Sequence, residues 1–104
     1  MRQVYAGVMS GTSLDGVDAV IADFSPAAGK PCLLLAAAQV PFARDLSADL
    51  LALQRPGIDE LARAGRAANA LADTYADAIN MALGRAGLAA ADIVAAGVHG
   101  QTLR

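Results

Sequence analysis

Apolar and polar positions along the chain change their period twice. Val4 to Met9 and Val17 to Phe24 are strand-like apolar runs separated by a small polar loop, Ser10-Gly11-Thr12-Ser13-Leu14-Asp15-Gly16. Asp15-Gly16 suits a reversal between antiparallel strands, because Asp tolerates and Gly prefers positive φ. The cluster from Ser25 to Pro31 holds two prolines and a glycine and predicts a second reversal. A third apolar run, from Cys32 to about Val40, stops at Pro41. Three strands joined by short turns, over residues 3–9, 17–24 and 32–40, predict an antiparallel meander.

Helical periodicity then takes over. Leu46, Leu50 and Leu53 recur at i, i+4 and i+7, with Asp45 or Ser47 available as N-cap and Pro56-Gly57 as the stop. Asp59 and Glu60 place negative charge where a following helix would begin. Leu61, Ala68, Leu71, Tyr75, Ile79 and Ala82 form one stripe, which predicts a long amphipathic helix over about residues 59–86 lying on the sheet. Gly87 is the expected left-handed residue of a Schellman stop, with Leu83 and Leu88 in hydrophobic contact across it. Gly84, one turn earlier, weakens the last turn by roughly 0.5–1 kcal/mol relative to alanine. Asp92 leads into a final apolar run, Ile93 to Val98, most economically parallel to a strand already in the sheet.

Composition narrows the picture. A chain of 104 residues holds one domain at most, and much of its 56 % hydrophobic content is alanine. Its aromatics are Tyr5, Phe24, Phe42 and Tyr75, so core packing relies on Leu, Val, Ile and Ala. A net charge of −2 gives no electrostatic reason to expect nucleic acid or an anionic membrane as partner. The single cysteine, Cys32, excludes an intrachain disulfide and a cysteine zinc site; it is expected as a small buried residue in a reducing compartment. Met1-Arg2-Gln3 runs directly into a strand without the apolar region of a signal peptide. The longest unbroken apolar stretch, Cys32 to Ala38, falls far short of the roughly 20 residues of a membrane span. A soluble, cytoplasmic chain is expected.

Two segments carry candidate chemistry. In the loop from Ser10 to Gly16, main-chain N–H groups, the hydroxyls of Ser10, Thr12 and Ser13, and two glycines suit a phosphate. Gly, Ser and Asp also simply make turns, but a two-residue turn would have sufficed here. A P-loop would require Gly-Lys-Ser/Thr, whereas Val17 and Asp18 follow Gly16. A dinucleotide fingerprint would require a third glycine and a helix. A nucleophile elbow would require a spacing one residue shorter. The second segment is Gly97-Val98-His99-Gly100-Gln101-Thr102, which contains the only histidine. Polar residues just beyond the carboxyl end of a strand sit where α/β sheets bind ligands. His, Gln and Thr there match sugar hydroxyls or an amide, although a lone His after a strand is also commonly structural.

The stretch GVMSGTSLDGVD, Gly7 to Asp18, resembles the opening signature of the anhydro-N-acetylmuramic acid kinase family, within the sugar kinase and actin superfamily. The HGQT of His99 to Thr102, with Gly87-Leu88 and Asp92-Ile93 before it, is similar to a second signature of that family. The resemblance implies an α/β fold: a βββαβ portion of a ribonuclease H-like, actin-like ATPase domain, with residues 1–104 forming the amino-terminal part of its first domain. It implies ATP and Mg2+ as cofactors and 1,6-anhydro-N-acetylmuramic acid as substrate, opened with water and phosphorylated at O6 in cell-wall recycling. Gly11, Thr12, Ser13, Leu14, Asp15, Gly16, Val17 and Asp18 would line the ATP phosphates. His99, Gly100, Gln101 and Thr102 would lie near the sugar.

Two departures accompany the resemblance. Met9 stands where many superfamily members carry a magnesium-organising aspartate, which leaves Asp15 or Asp18, through water, to share that task. Asp18 has an alternative reading as a residue on the solvent face of its strand. The family's members are also several times longer, so the catalytic base is expected beyond residue 104 and the chain alone is expected to be inactive. Association through an exposed final strand, including a homodimer, is a further expectation. The alternatives are another ATPase or sugar kinase of the superfamily, or a non-catalytic truncated module.

Overall fold

Alternation in the first two apolar runs becomes two faces of a sheet. The structure is a computed structural model that describes residues 2–11, 14–25, 31–101 and 103. Strands β1 (Val4–Ser10), β2 (Gly16–Asp23) and β3 (Leu33–Pro41) are followed by helices α1 (Arg44–Ala52) and α2 (Glu60–Ala86), a 3-10 turn (Ala90–Asp92) and strand β4 (Ala95–Val98). The sheet order is β3-β2-β1-β4. β1 pairs antiparallel with β2, β2 antiparallel with β3, and β4 lies parallel to β1.

Val4, Ala6 and Val8 of β1 and Val17, Ala19 and Ile21 of β2 point to one side, where they meet Ala67, Tyr75, Ala78, Ala82 and Leu83 of α2 in a single buried cluster. Leu46, Leu50 and Leu53 join it from α1 and the turn that follows. The opposite face carries Tyr5, Met9, Val20 and Phe24, all exposed, with the rings of Tyr5 and Phe24 packed edge to face at 5.8 Å. Asp18 lies on this outer face across from Met9, as its solvent-face reading requires. A bulge between Ile21 and Ala22 interrupts the β2–β3 register.

The end of α2 follows the expected chemistry. Gly87 has φ 70°, its N–H donates to the Gly84 carbonyl, and the Leu88 N–H donates to the Leu83 carbonyl. These are the paired bonds of a Schellman motif, and they satisfy two carbonyls that the helix leaves open. Arg85 Nη1 donates to the Ala37 carbonyl at 2.8 Å and ties this end to β3.

Several expectations are corrected. α1 begins after Ala43 with no side-chain cap; Asp45 and Ser47 both lie inside the helix, and the Ser47 hydroxyl is used elsewhere. The buried stripe of α2 runs through Ala67 and Ala78, so it is rotated from the one read through Leu61 and Ala68. Leu61 is 90 % exposed on the first turn, and Ala68 is exposed. Runs of alanine cause this, because neighbouring alanines give the period little contrast. Cys32 is exposed, since it precedes β3, a strand at the edge of the sheet. β4 spans Ala95–Val98, shorter than the run from Ile93, because Ala90–Asp92 first forms a 3-10 turn. Asp92 Oδ2 accepts the Ala89 N–H and closes that turn. No helix among the described residues is long and apolar enough to cross a membrane.

Candidate functional site

Parallel pairing decides where the two polar segments meet. β1 and β4 run side by side from Tyr5 and Ala95 to Val8 and Val98, so their carboxyl ends open at the same end of the sheet. The His99 N–H extends the ladder by donating to the Val8 carbonyl at 3.0 Å. The loop after β1 and the segment after β4 are therefore neighbours, although almost the whole chain separates them in sequence.

The first loop is a turn held from outside. Leu14 takes the left-handed conformation, φ 57°, and its N–H donates to the Gly11 carbonyl at 3.3 Å. A left-handed leucine costs about 1–2 kcal/mol. Three contacts offset that cost: the Leu14 side chain packs on the core, Ser47 Oγ donates to the Leu14 carbonyl at 2.9 Å, and the Phe42 N–H donates to the Asp15 carbonyl at 3.1 Å. The reversal thus differs from the expectation that Asp15-Gly16 would hold the positive φ. The glycines of positive φ among the described residues are Gly87 and Gly100.

Gly16 is needed for a different reason. A Cβ on Gly16 would stand 2.6 Å from the Val40 carbonyl oxygen and 3.0 Å from Pro41 Cα. Its bare backbone lets β3 approach this closely. Val17 is fully buried, main chain and side chain alike, between its partners Ser10 and Val40. Gly11 and Leu14 are half-buried, while Asp15 and Asp18 are exposed. Thr12 and Ser13 lie outside the described residues.

Ser10 also departs from its expected role as a phosphate donor. It is 3 % exposed, and its hydroxyl lies 2.8 Å from Tyr75 Oη and 3.4 Å from the Gly100 carbonyl. The oxygen faces α2 and the segment after β4, so it is already used inside the protein.

In the second segment His99 is exposed, and its Nδ1 donates to the Gly100 carbonyl at 3.2 Å in the tautomer that protonates that nitrogen. Gly100 turns the chain with φ 84°. Gln101 is half-buried, and its Oε1 is fully buried without a hydrogen-bond partner. It sits in a small recess with Leu50, Leu53, Ala64, Ala67 and Leu71. A buried carbonyl oxygen left unpaired among apolar side chains is costly, and it is an acceptor ready for a donor. Thr102 lies outside the described residues. Among the described residues, no group of three or more His, Cys, Asp and Glu side chains converges where a metal ion could be held.

The family model described as anhydro-N-acetylmuramic acid kinase matches residues 3–104. The chain belongs to this family. It is 53 % identical over 100 residues to an anhydro-N-acetylmuramic acid kinase of Cupriavidus pinatubonensis, a match covering 96 % of the chain and 26 % of that relative. Identity to the Burkholderia pseudomallei kinase is 54 % over 101 residues, covering 97 % of the chain and 26 % of the relative. The Paraburkholderia xenovorans kinase is 52 % identical over 101 residues, with the same two shares. The chain thus spans about a quarter of the length of these kinases.

Sequence reasoning located both loops of this kinase-family chain but missed the groups that brace them. Tyr75, Ser47 and Phe42 support the loops through a hydroxyl or a main-chain N–H. A tyrosine in an apolar helical stripe, where phenylalanine would pack equally well, was the available signal for the first. Nothing in the local pattern marked the other two.

Proposed function

We propose that this chain is the phosphate-binding part of an ATP-dependent kinase that opens 1,6-anhydro-N-acetylmuramic acid with water and phosphorylates the freed O6. In this reading the four-stranded sheet is the start of an actin-like ATPase domain. The loop from Gly11 to Asp15 cradles the ATP phosphates. His99, Gly100 and Gln101 face the sugar. Asp15 or Asp18, both exposed, would help to hold a magnesium ion through water, and that ion would supply charge neutralisation on the phosphates. The catalytic base lies outside these 104 residues, and the chain by itself does not turn over.

One observation carries the reading: in a chain of this family, parallel pairing of β4 on β1 opens both signature segments at one end of the sheet. The buried, unpaired Gln101 Oε1 adds to it, because an N–H or O–H of a sugar derivative would satisfy it. Phosphoryl transfer depends chiefly on positioning and charge stabilisation, and a braced loop beside a polar segment provides the former.

The test is a hybrid in which residues 1–104 replace the matching segment of the Cupriavidus pinatubonensis kinase. The hybrid should phosphorylate the anhydro-sugar with ATP, and the 104-residue chain alone should not. A folded hybrid that is inert, or that prefers a different sugar, would overturn the reading.

A further inference from the structure

Ser10 is the last residue of β1 and directly precedes the phosphate loop, yet its side chain points inward. The Gly100 carbonyl can only accept, so Ser10 donates to it, and Tyr75 Oη then donates to Ser10 Oγ. The result is a directed chain of hydroxyls, from Tyr75 on α2, through Ser10 at the end of β1, to Gly100 after β4. Three elements meet in it. Tyr75 is buried in the core and anchors one end, while Gly100 sits at the left-handed turn between His99 and Gln101. The bond to Gly100, at 3.4 Å, is near the limit of hydrogen-bond length, and a shift of a few tenths of an ångström makes or breaks it.

We propose that Tyr75 and Ser10 are positioning residues that couple the two loops, so that filling the phosphate loop sets the His99–Gln101 segment for the sugar, and the reverse. The inference rests on the kinase reading above. Gly11 follows Ser10 immediately, so a displacement of the loop by a bound nucleotide reaches Ser10 directly. Tyr75 restricts how the Ser10 hydroxyl responds and keeps its proton aimed at Gly100. Removing the Tyr75 hydroxyl frees the Ser10 hydroxyl to rotate, and the link between the loops is lost. Binding linkage is reciprocal, so the same factor must appear from either side.

The hybrid kinase described above provides the test. The affinity of 1,6-anhydro-N-acetylmuramic acid is measured calorimetrically with and without a non-hydrolysable ATP analogue, and the analogue's affinity with and without the sugar. The unaltered hybrid should show each ligand tightening the other by about fivefold or more. Tyr75→Phe, which keeps the packed ring, should bring that factor close to one, and so should Ser10→Ala. The double variant should lose no more than either single one, because both break one chain of bonds. A general loosening of the fold weakens both ligands without changing their ratio, so the factor separates positioning from structural damage. If Tyr75→Phe retains the full factor, or the unaltered hybrid shows none while binding both ligands, the coupling is refuted and the kinase reading stands. If the folded, unaltered hybrid binds neither ligand, both fall.

Discussion

The two ends of this sheet are finished in opposite ways. At the end where the chain begins, one carboxylate completes the structure locally. Asp23 Oδ1 accepts the Gln3 N–H at 3.2 Å and the Ser25 N–H at 2.9 Å, and the exposed Arg2 guanidinium stands 3.9 Å from Oδ2. The other end, where β1 and β4 finish, depends on distant elements. Ser47 and Phe42 hold the first loop, Tyr75 holds Ser10, and Gln101 Oε1 is left buried and unpaired. A structural end satisfies its own polar groups. The other end leaves one buried acceptor unmatched, and in the reading proposed above that acceptor is kept for a ligand.

The largest expected effect lies at the site end, and it separates architecture from ligand clearance. Gly16→Ala drives a Cβ against the Val40 and Pro41 backbone of β3, which cannot swing aside as a side-chain end can. Overpacking of this kind typically costs about 1–3 kcal/mol. Urea unfolding of the isolated chain should show that loss with no ligand present. If the variant unfolds at the same urea concentration as the parent, the glycine serves ligand approach, as its sequence position alone suggested.

That example also shows what could be read from the residues. The meander, the long helix and the parallel return were legible, because alternation in residues 4–8 and 17–21 is clear and Gly87 marks a helix stop that few other residues could make. The orientation of α2 was not legible, because Ala67 and Ala68 are indistinguishable by polarity and only packing chooses between them. The turn after β1 was misread in detail. Local preference favours positive φ at Asp15-Gly16, but the core holds Leu14 and α1 captures its carbonyl, and these tertiary contacts outweigh the preference. At the site, the signature residues stood out and their supports did not. Ser10 and Tyr75 are 65 positions apart, and no local pattern announces a bond across that distance.

A smaller effect, of opposite sign, tests the reserved acceptor. Gln101→Leu replaces an unpaired buried amide oxygen with an apolar group beside Leu50, Leu53 and Ala64. Relief of that desolvation should stabilise the isolated chain by about 1 kcal/mol. In the hybrid kinase the same substitution should weaken sugar binding, leaving nucleotide binding alone intact. A gain of stability with unchanged sugar affinity would make the unpaired oxygen an accident of packing and remove it from the site.

The smallest effect belongs to the opposite end and depends on pH. The Ser25 N–H, foremost, holds the Asp23 carboxyl below the usual aspartate value of 3.8; burial pushes the other way, and the Ser25 hydroxyl, the Gln3 N–H and Arg2 add to the lowering. Since Asp23 gives up its proton more readily in the folded chain, the unfolded chain binds a proton first on acidification. Its contribution to stability is therefore complete above the unfolded value near 3.8 and is lost as pH falls through the lower, folded value. Asp23→Asn should flatten the part of the acid limb of stability against pH that this group supplies. Residues 14–16 should keep their hydrogen-exchange protection relative to the parent while the amides of Gln3 and Ser25 lose theirs. Equal loss of protection at both ends would mean that the sheet opens as one unit, and the division between a self-contained end and a braced, ligand-ready end would have no energetic basis.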